Sequence, residues 1–560
     1  MELIKLFKSE SSKAFKLIIL MAVVSGAANG ALVGLINAGA MAVHSETVAT
    51  RDFILFVVGL VLYLYSKDIS ENRGKQVMEL AMSKQRLRIY EKIQNASLST
   101  IEALNPSEVI AKTARNISQI LQSSDSVIYG MQSLMMLVFC SIYLFIISAA
   151  AFLVVMAGVG LLIFLRYMRD STNKQQLEEL IVREGRQSGY MADMIEGFKE
   201  IKINHAKCED LFATFNAAVQ DARALSMKTA VQYIRFRIVM QASFYIILAV
   251  VVFMLPRFID TYSRQVMEST SVVLFIVGYL SGFVEIIPVF ARSNAALKNM
   301  AALEAQLDAA VELRPETLEL FPGFQTISAR DMHFAYQDQS GEKAFSVGPL
   351  NLEVQRGEIL FLTGGNGSGK STLLKLLTGL YRPDAGAITV DGVAVNQASV
   401  FALREMYSAI FTDFHLFDRF YGYHDVDAAR INALIHDLGL EQKVSFADGA
   451  FSTLKLSTGQ RKRLALIIAL IEDRQIYVFD EWAADQDQRF RRQFYEVILP
   501  ELKQRGKTVI AVTHDDAYWG HADRLVKLDG GAVVGDAHAA PASREAVSYT
   551  HLTLPTNREV

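Results

Sequence analysis

Cysteine is nearly missing from this chain: Cys140 and Cys208 are the only two in 560 residues. One lies in an apolar run and the other in a polar helical stretch. Neither the spacing of a metal site nor a disulfide framework is present, so both are expected as free thiols. A strong charge bias is missing too. With a formal net charge of -3, the chain offers no broadly basic surface, and no nucleic-acid partner is expected. A cleavage segment is also lacking after the first apolar run. That run is long and glycine-rich and further runs follow it, which sets it apart from a cleaved signal peptide.

What the chain has in excess is apolar character. Hydrophobic residues make up 51% of it, and mean hydropathy is +0.23. A chain this long is expected to form two or more domains. The excess is concentrated in the first 300 residues. KLIILMAVVSGAANGALVGLINAGAMAV starts at Lys16, FILFVVGLVLYLY at Phe53, IVMQASFYIILAVVVFML at Ile238 and SVVLFIVGYLSGFVEIIPVF at Ser271. The stretch from Met131 to Leu165 is too long for one crossing of roughly 20 residues and predicts two spans joined by a very short turn. Six spans are thus expected, the second being the weakest because its uninterrupted apolar core is short.

The connection from Lys67 to Ser126 carries nine Lys or Arg residues, and Lys5, Lys8, Lys13 and Lys16 precede the first span. Arg51, Arg257 and Arg264 are the main basic residues of the other connections. This asymmetry places both termini and the two long loops in the cytoplasm. The loops have helical periodicity and strong helix formers. A short crossing helix is expected near Leu98 to Leu104, and a second near Cys208 to Phe212. Glu285 falls inside the sixth span, where a carboxylate is costly unless it faces a cavity or a partner. It could meet a cationic group on a cargo or a polar group of another span.

From about Pro315 short β-rich segments alternate with helices and glycine turns, the pattern of an α/β domain. GEILFLTGGNGSGKSTLLKLLTG reads as strand, glycine loop and helix, with Gly364 followed after four residues by Gly369, Lys370 and Ser371. This is the P-loop spacing in its required context. Glycines let successive N–H groups converge on phosphate oxygens, and the helix start adds a favourable potential. Lys370 is expected on the β- and γ-phosphates and the Ser371 hydroxyl on Mg²⁺. Downstream, RQIYVFDEW ends an apolar strand in Asp480, suited to the metal shell, and Glu481, suited to polarising the attacking water. KTVIAVTHDD ends a third strand in His514, a candidate sensor of the γ-phosphate.

With LSTGQ opening a helix at Leu456, the chain resembles an ABC exporter half-transporter, one membrane domain fused to one nucleotide-binding domain. The resemblance implies a fold of six transmembrane helices over 1–310 and an α/β P-loop ATP-binding domain over 315–535. Residues 536–560 read as a tail foreign to the fold, most markedly from Glu545. It further implies ATP and Mg²⁺ as cofactors and an ATP hydrolase coupled to transport. The expected location is the bacterial cytoplasmic membrane, multi-pass. Gly364, Gly365, Asn366, Gly367, Ser368, Gly369, Lys370, Ser371 and Thr372 match Walker A, and Tyr336 matches the aromatic that stacks on adenine. Ser457, Thr458, Gly459 and Gln460 match the signature motif, which acts on the nucleotide of a second subunit, so a homodimer is implied. Asp480 and Glu481 match Walker B with its catalytic glutamate, His514 the switch histidine, and Asp485 the aspartate of the D-loop.

Two departures stand out. Thr458 replaces a glycine of the signature, and Thr412 stands where the family has the Q-loop glutamine, a role that could pass to Asp413. Thr412, LSTGQRKR and the compact length are similar to the cyclic-peptide exporter group, implying export of a cyclic or modified peptide of siderophore or lipopeptide type. Export of lipid or another amphipathic molecule is the alternative, as is a nucleotide-gated regulator or channel without net transport. An importer is not expected, because importer membrane and ATP-binding parts are usually separate chains.

Overall fold

A computed structural model describes residues 12–43, 50–104, 106–167, 170–259, 262, 265–309, 311–312, 315, 321–337, 343–423 and 425–538. The chain forms two compact units. The first comprises Met1–Tyr90 and Ser107–Glu304; the second comprises Glu91–Pro106 and Ala305–Val560.

The first unit is helical. Its described helices are Ser12–Val43, Thr50–Gln94, Pro106–Ile147, Ala149–Tyr167, Asp170–Glu196, Phe198–Ile203, His205–Ala249, which continues through Val250–Met254 and Leu255–Phe258, and Val266–Asp308. Ser148 alone separates the third and fourth, so the turn expected between two spans is a single residue. Among the described residues, four helical stretches are long and apolar enough to cross a membrane: Lys13–Gly39, Thr50–Gln94, Lys112–Ile147 and His205–Phe258. The second span, doubtful from its short apolar core, qualifies because its helix runs on without a break. The expected fourth and sixth spans fall on helices whose described apolar runs, Ala149–Phe164 and Val266–Leu280, are shorter. The Glu285 backbone is helical, and its side chain lies outside the described residues.

Apolar side chains divide between a core and a lipid-suited face. Val33, Met136, Cys140, Phe244 and Val273 are buried together, whereas Phe53, Val58, Val61 and Tyr65 stay exposed along the second span. Uncompensated exposure on that scale fits a hydrocarbon environment and not water. Cys140 is buried and Cys208 half-buried, both free thiols.

The first crossing helix is present as Leu98–Ala103. The second is displaced from the expected position: Phe198–Ile203 forms the short helix, and Cys208 to Phe212 lies inside the long helix His205–Ala249. Asn204 explains the shift. It caps the long helix by accepting the Lys207 N–H, so the break falls before His205.

The second unit is built on a six-stranded sheet in the order Ala532–His538, Arg524–Asp529, Ile359–Thr363, Thr508–Val512, Ile476–Asp480 and Tyr407–Ile410. A four-stranded sheet in the order Lys343–Gln355, Thr326–Gln337, Ala385–Val390, Val393–Ala394 packs in the same unit. The central strands pair in parallel and are buried along their length, which is why they read as continuous apolar runs without alternation. The last strand reaches His538, three residues past the boundary expected at 535. Asp536 within it forms a two-pronged pair with Arg524. The tail from 539 lies outside the described residues.

The crossing helix Leu98–Ala103 belongs to this second unit. Leu98 packs against its core, and Glu102 receives Lys375 Nζ at 2.7 Å and the Tyr381 hydroxyl. The Asn95 carbonyl accepts the Glu312 N–H at 2.7 Å, and Glu312 forms a bidentate pair with Arg404.

Candidate functional site

Parallel register brings the functional segments to one edge. Val512 pairs with Leu362 on one side and Asp480 on the other, so the P-loop, the Asp480–Glu481 pair and His514 all follow adjacent strand ends. Ligands gather at the carboxyl ends of such strands.

Gly364, Gly367 and Gly369 have φ of 143°, 76° and 97°, values a side chain rarely tolerates. At Gly364 a Cβ would stand 2.2 Å from the Leu528 carbonyl oxygen. Gly365, Asn366 and Gly367 are exposed at the crest of the loop, whereas Ser368, Lys370 and Thr372 are buried and Ser371 is exposed. Lys370 donates to the Gly364 and Gly365 carbonyls at 3.0 and 2.9 Å, which holds a cation at the centre of the loop. The helix Lys370–Leu377 begins directly on it.

Asp480 is 2% exposed. Burial pushes its carboxyl above the usual carboxylate range, and hydroxyl donation from Ser371 and Thr412 opposes that shift. Its Oδ1 has no hydrogen-bond partner. A desolvated carboxylate with an orphaned oxygen beside the P-loop serine fits a divalent cation arriving with nucleotide phosphates. Ser371 and Asp480 would hold Mg²⁺ there, and the ion would supply neutralisation of phosphate charge. Among the described residues no cluster of three or more His, Cys, Asp or Glu could hold a metal, as expected for an ion taken mainly by phosphates and one or two protein groups.

Thr412 therefore sits at the Asp480 carboxylate, and both it and Asp413 are exposed. The threonine hydroxyl that stands in the glutamine's place itself reaches the metal-side carboxylate.

Glu481 takes a left-handed conformation, φ 51°, and its Oε1 stands 3.2 Å from His514 Nε2. A carboxylate and an imidazole are thus paired just past the strand ends. Tyr336 is half-buried; its hydroxyl bonds with Thr372 Oγ1 at 3.1 Å and with the Tyr381 hydroxyl at 3.5 Å.

The signature residues sit at the start of the helix Thr458–Glu472. Ser457 and Gln460 form a capping box: Ser457 Oγ accepts the Gln460 N–H, and Gln460 Oε1 accepts the Ser457 N–H. This arrangement satisfies two backbone donors at once. Ser457 and Thr458 are exposed, so the Thr458 side chain narrows nothing within its own chain. The Asp485 carboxylate is engaged by Lys462 of the same chain at 2.6 Å, and Asp487, two residues on, caps the next helix. The Asp485 side chain remains 46% exposed beside this intrachain pair.

Several neighbours escaped the sequence reading. Lys462, flanked by Arg461 and Arg463, is only 2% exposed. Behind His514, Tyr495 joins Thr513 and Asp515, with its hydroxyl 2.6 Å from Thr513 Oγ1. Arg491 pairs with Asp515. Their sequence signal is weak, because each is a polar residue in a segment otherwise read as core or surface.

A P-loop, a buried carboxylate beside it and a signature-type capping box, in a chain that also carries membrane-length apolar helices, define an ABC-type ATPase coupled to a membrane domain. The chain belongs to the ABC transporters: it matches the ABC transporter family over residues 347–484 and the ABC transporter transmembrane region over residues 15–284. It binds and hydrolyses ATP and is a multi-pass membrane protein with its nucleotide-binding domain in the cytoplasm. It is 31% identical to the ATP-binding protein SyrD of Pseudomonas syringae pv. syringae, over 94% of this chain and 95% of that one. Identity to the ATP-dependent lipid A-core flippase of Vibrio vulnificus strain YJ016 is 24%, over 95% and 92%. The fold is that of a bacterial Atm1-family ABC exporter solved with ATP bound, with a TM-score of 0.74 at 18% identity, covering 94% of this chain and 95% of that one.

Proposed function

We propose that this chain is one half of a homodimeric exporter that moves an amphipathic, lipid-like molecule out of the cytoplasm across a bacterial inner membrane. The observation that carries the reading is the convergence of Lys370, Asp480, Glu481 and His514 at adjacent parallel strand ends in a chain with membrane-length helices. The near full-length likeness to lipid A-core flippases supports a lipid-type cargo. Export of a cyclic or modified peptide is the second reading, and Thr412 with LSTGQRKR is what favours it.

In this scheme the P-loop N–H groups and Lys370 hold the phosphates. Ser371 and Asp480 hold Mg²⁺, with Thr412 orienting the carboxylate. Glu481 polarises the attacking water, and His514 keeps that carboxylate aimed while contacting the γ-phosphate. Tyr336 stacks on adenine. Ser457 and Gly459 offer a hydroxyl and a backbone N–H to the nucleotide held by the second subunit, with the helix start adding its potential. One chain carries one P-loop and one signature, so two chains complete two sites.

The test is ATP hydrolysis and vesicle transport by full-length protein in lipid, wild type against Glu481→Gln, with phosphorylated glycolipids and cyclic lipopeptides as cargoes. Hydrolysis lost in the variant and raised by a cargo that also moves supports the reading. Stimulation by cyclic lipopeptides alone selects the peptide reading. Nucleotide-driven conformational change without transport of either selects a gated regulator or channel.

A further inference from the structure

The signature helix and the turn carrying Glu481 are joined by a buried clasp. Lys462 is 2% exposed. Its ammonium donates to the Glu481 carbonyl oxygen at 2.7 Å and meets Asp485 Oδ2 at 2.6 Å. Its own carbonyl accepts the Trp482 indole N–H at 2.8 Å. One turn earlier, the Gly459 carbonyl accepts Gln486 Nε2 at 3.0 Å. A Cβ on Gly459 would stand 2.6 Å from the Asp485 carbonyl oxygen. Glu481, Trp482, Asp485 and Gln486, just after the strand, thus interlock with Gly459 and Lys462 of the signature helix through side chain and backbone alike.

Glu481 is the residue this clasp constrains most. Its φ of 51° is uncommon for a residue with a long side chain and persists only where surroundings impose it. The left-handed turn sends the carboxylate toward His514 and the carbonyl toward Lys462. A desolvated ammonium is costly unless paired and hydrogen-bonded. Here one carboxylate and one carbonyl meet that requirement, so the lysine is fixed in place with its charge spent on this turn.

We propose that Lys462 is a positioning residue for hydrolysis: it fixes the left-handed turn at Glu481 and binds that turn to the signature segment. The inference rests on the reading of Glu481 as the base. Its consequence is directional. The segment that closes on a partner's nucleotide and the base of the chain's own site move as one body, so each ATP site of the dimer is informed of the other's occupancy.

Lys462→Met tests this in full-length protein in lipid, because it keeps the stem and removes the charge. The Asp485 side chain left behind is 46% exposed and therefore hydrated. Steady-state kcat and KM for MgATP are measured beside equilibrium binding of a fluorescent ATP analogue, all in a Trp519→Phe background where Trp482 emission reports the packing. The expected result is a fall in kcat of roughly 10-fold or more, within the range a general base contributes, with analogue affinity and Trp482 emission unchanged. Asp485→Asn is expected to lower kcat less, since the Glu481 carbonyl contact survives. Adding Lys462→Met to Glu481→Gln is expected to cost nothing further, because the group it positions is already disabled.

Three outcomes overturn the inference: a kcat close to wild type, a loss of analogue affinity that matches the loss of rate, or a shift of Trp482 emission to that of a solvated indole. If Glu481→Gln itself hydrolyses ATP at the wild-type rate, the base reading fails. If it is inactive while Lys462→Met is not, only the clasp fails.

Discussion

Asp480 and Thr412 carry the first pair of expectations. The deprotonated carboxylate is the form that holds a cation, and burial raises its pKa. Acidification therefore protonates Asp480 earlier than an ordinary aspartate, and the Mg²⁺ concentration for half-maximal ATPase should rise as pH falls and level off in alkaline solution. Thr412→Val removes a donor that favours the charged form. It should shift that curve to higher pH and raise the Mg²⁺ requirement by roughly 10-fold or more, the equivalent of the roughly 1.5–3 kcal/mol of a hydrogen bond to a charged group. Titrating Mg²⁺ at fixed ATP across pH checks both. Gly459→Ala should abolish turnover while leaving expression intact, since its methyl meets backbone and cannot be accommodated by a side-chain rotation. The P-loop was legible in sequence because its glycines dictate a backbone. Lys462 was not, because a lysine flanked by two arginines looks solvated, and only tertiary packing decides which of three charges turns inward. The Lys462–Asp485 pair escaped for the same reason, its two members lying twenty-three residues apart in the chain.

At the scale of elements, the crossing helix Leu98–Ala103 is the clearest success of the sequence reading. Its partner was misplaced because helical periodicity carries no mark of a break and Asn204 was not recognised as a cap. The Glu102 contacts to Lys375 and Tyr381 anchor the first crossing helix beside Tyr336. Glu102→Ala is therefore expected to leave ATP binding intact and to remove most of the cargo-stimulated fraction of hydrolysis. Comparing stimulated with basal rates in one preparation measures it. The edge strand Ala532–His538 supplies a second expectation. Deleting residues from 539 should leave thermal inactivation unchanged, whereas deleting from 536 should lower its midpoint by removing Asp536 and the end of the strand. Hydrogen bonding from Arg524 holds the Asp536 carboxyl below its ordinary value. That contribution, about 1 kcal/mol or less for an exposed pair, is present above the unfolded-state pKa and is lost as pH falls through the lowered one. The gap between the two deletions should thus narrow in strongly acidic solution without closing, since the strand-end pairing is lost at any pH.

For the whole molecule, the division into membrane and nucleotide parts was legible because apolar excess ends near residue 300 and glycine turns begin. Dimerisation belongs to the proposal, and it yields a sharp expectation. Co-reconstituting wild-type and Glu481→Gln chains should depress activity more steeply than the wild-type fraction, because a mixed dimer holds one disabled site joined to its neighbour. A strictly linear decline would show the sites to be independent. The grouping of Glu91–Pro106 with the nucleotide-binding fold has a practical corollary for anyone building hybrids of this transporter with a relative. The seam between interchangeable parts is not a single cut near residue 310. A transplanted ATPase has to bring its own sixteen-residue graft from inside the membrane half, or the recipient will receive a motor without its matching socket.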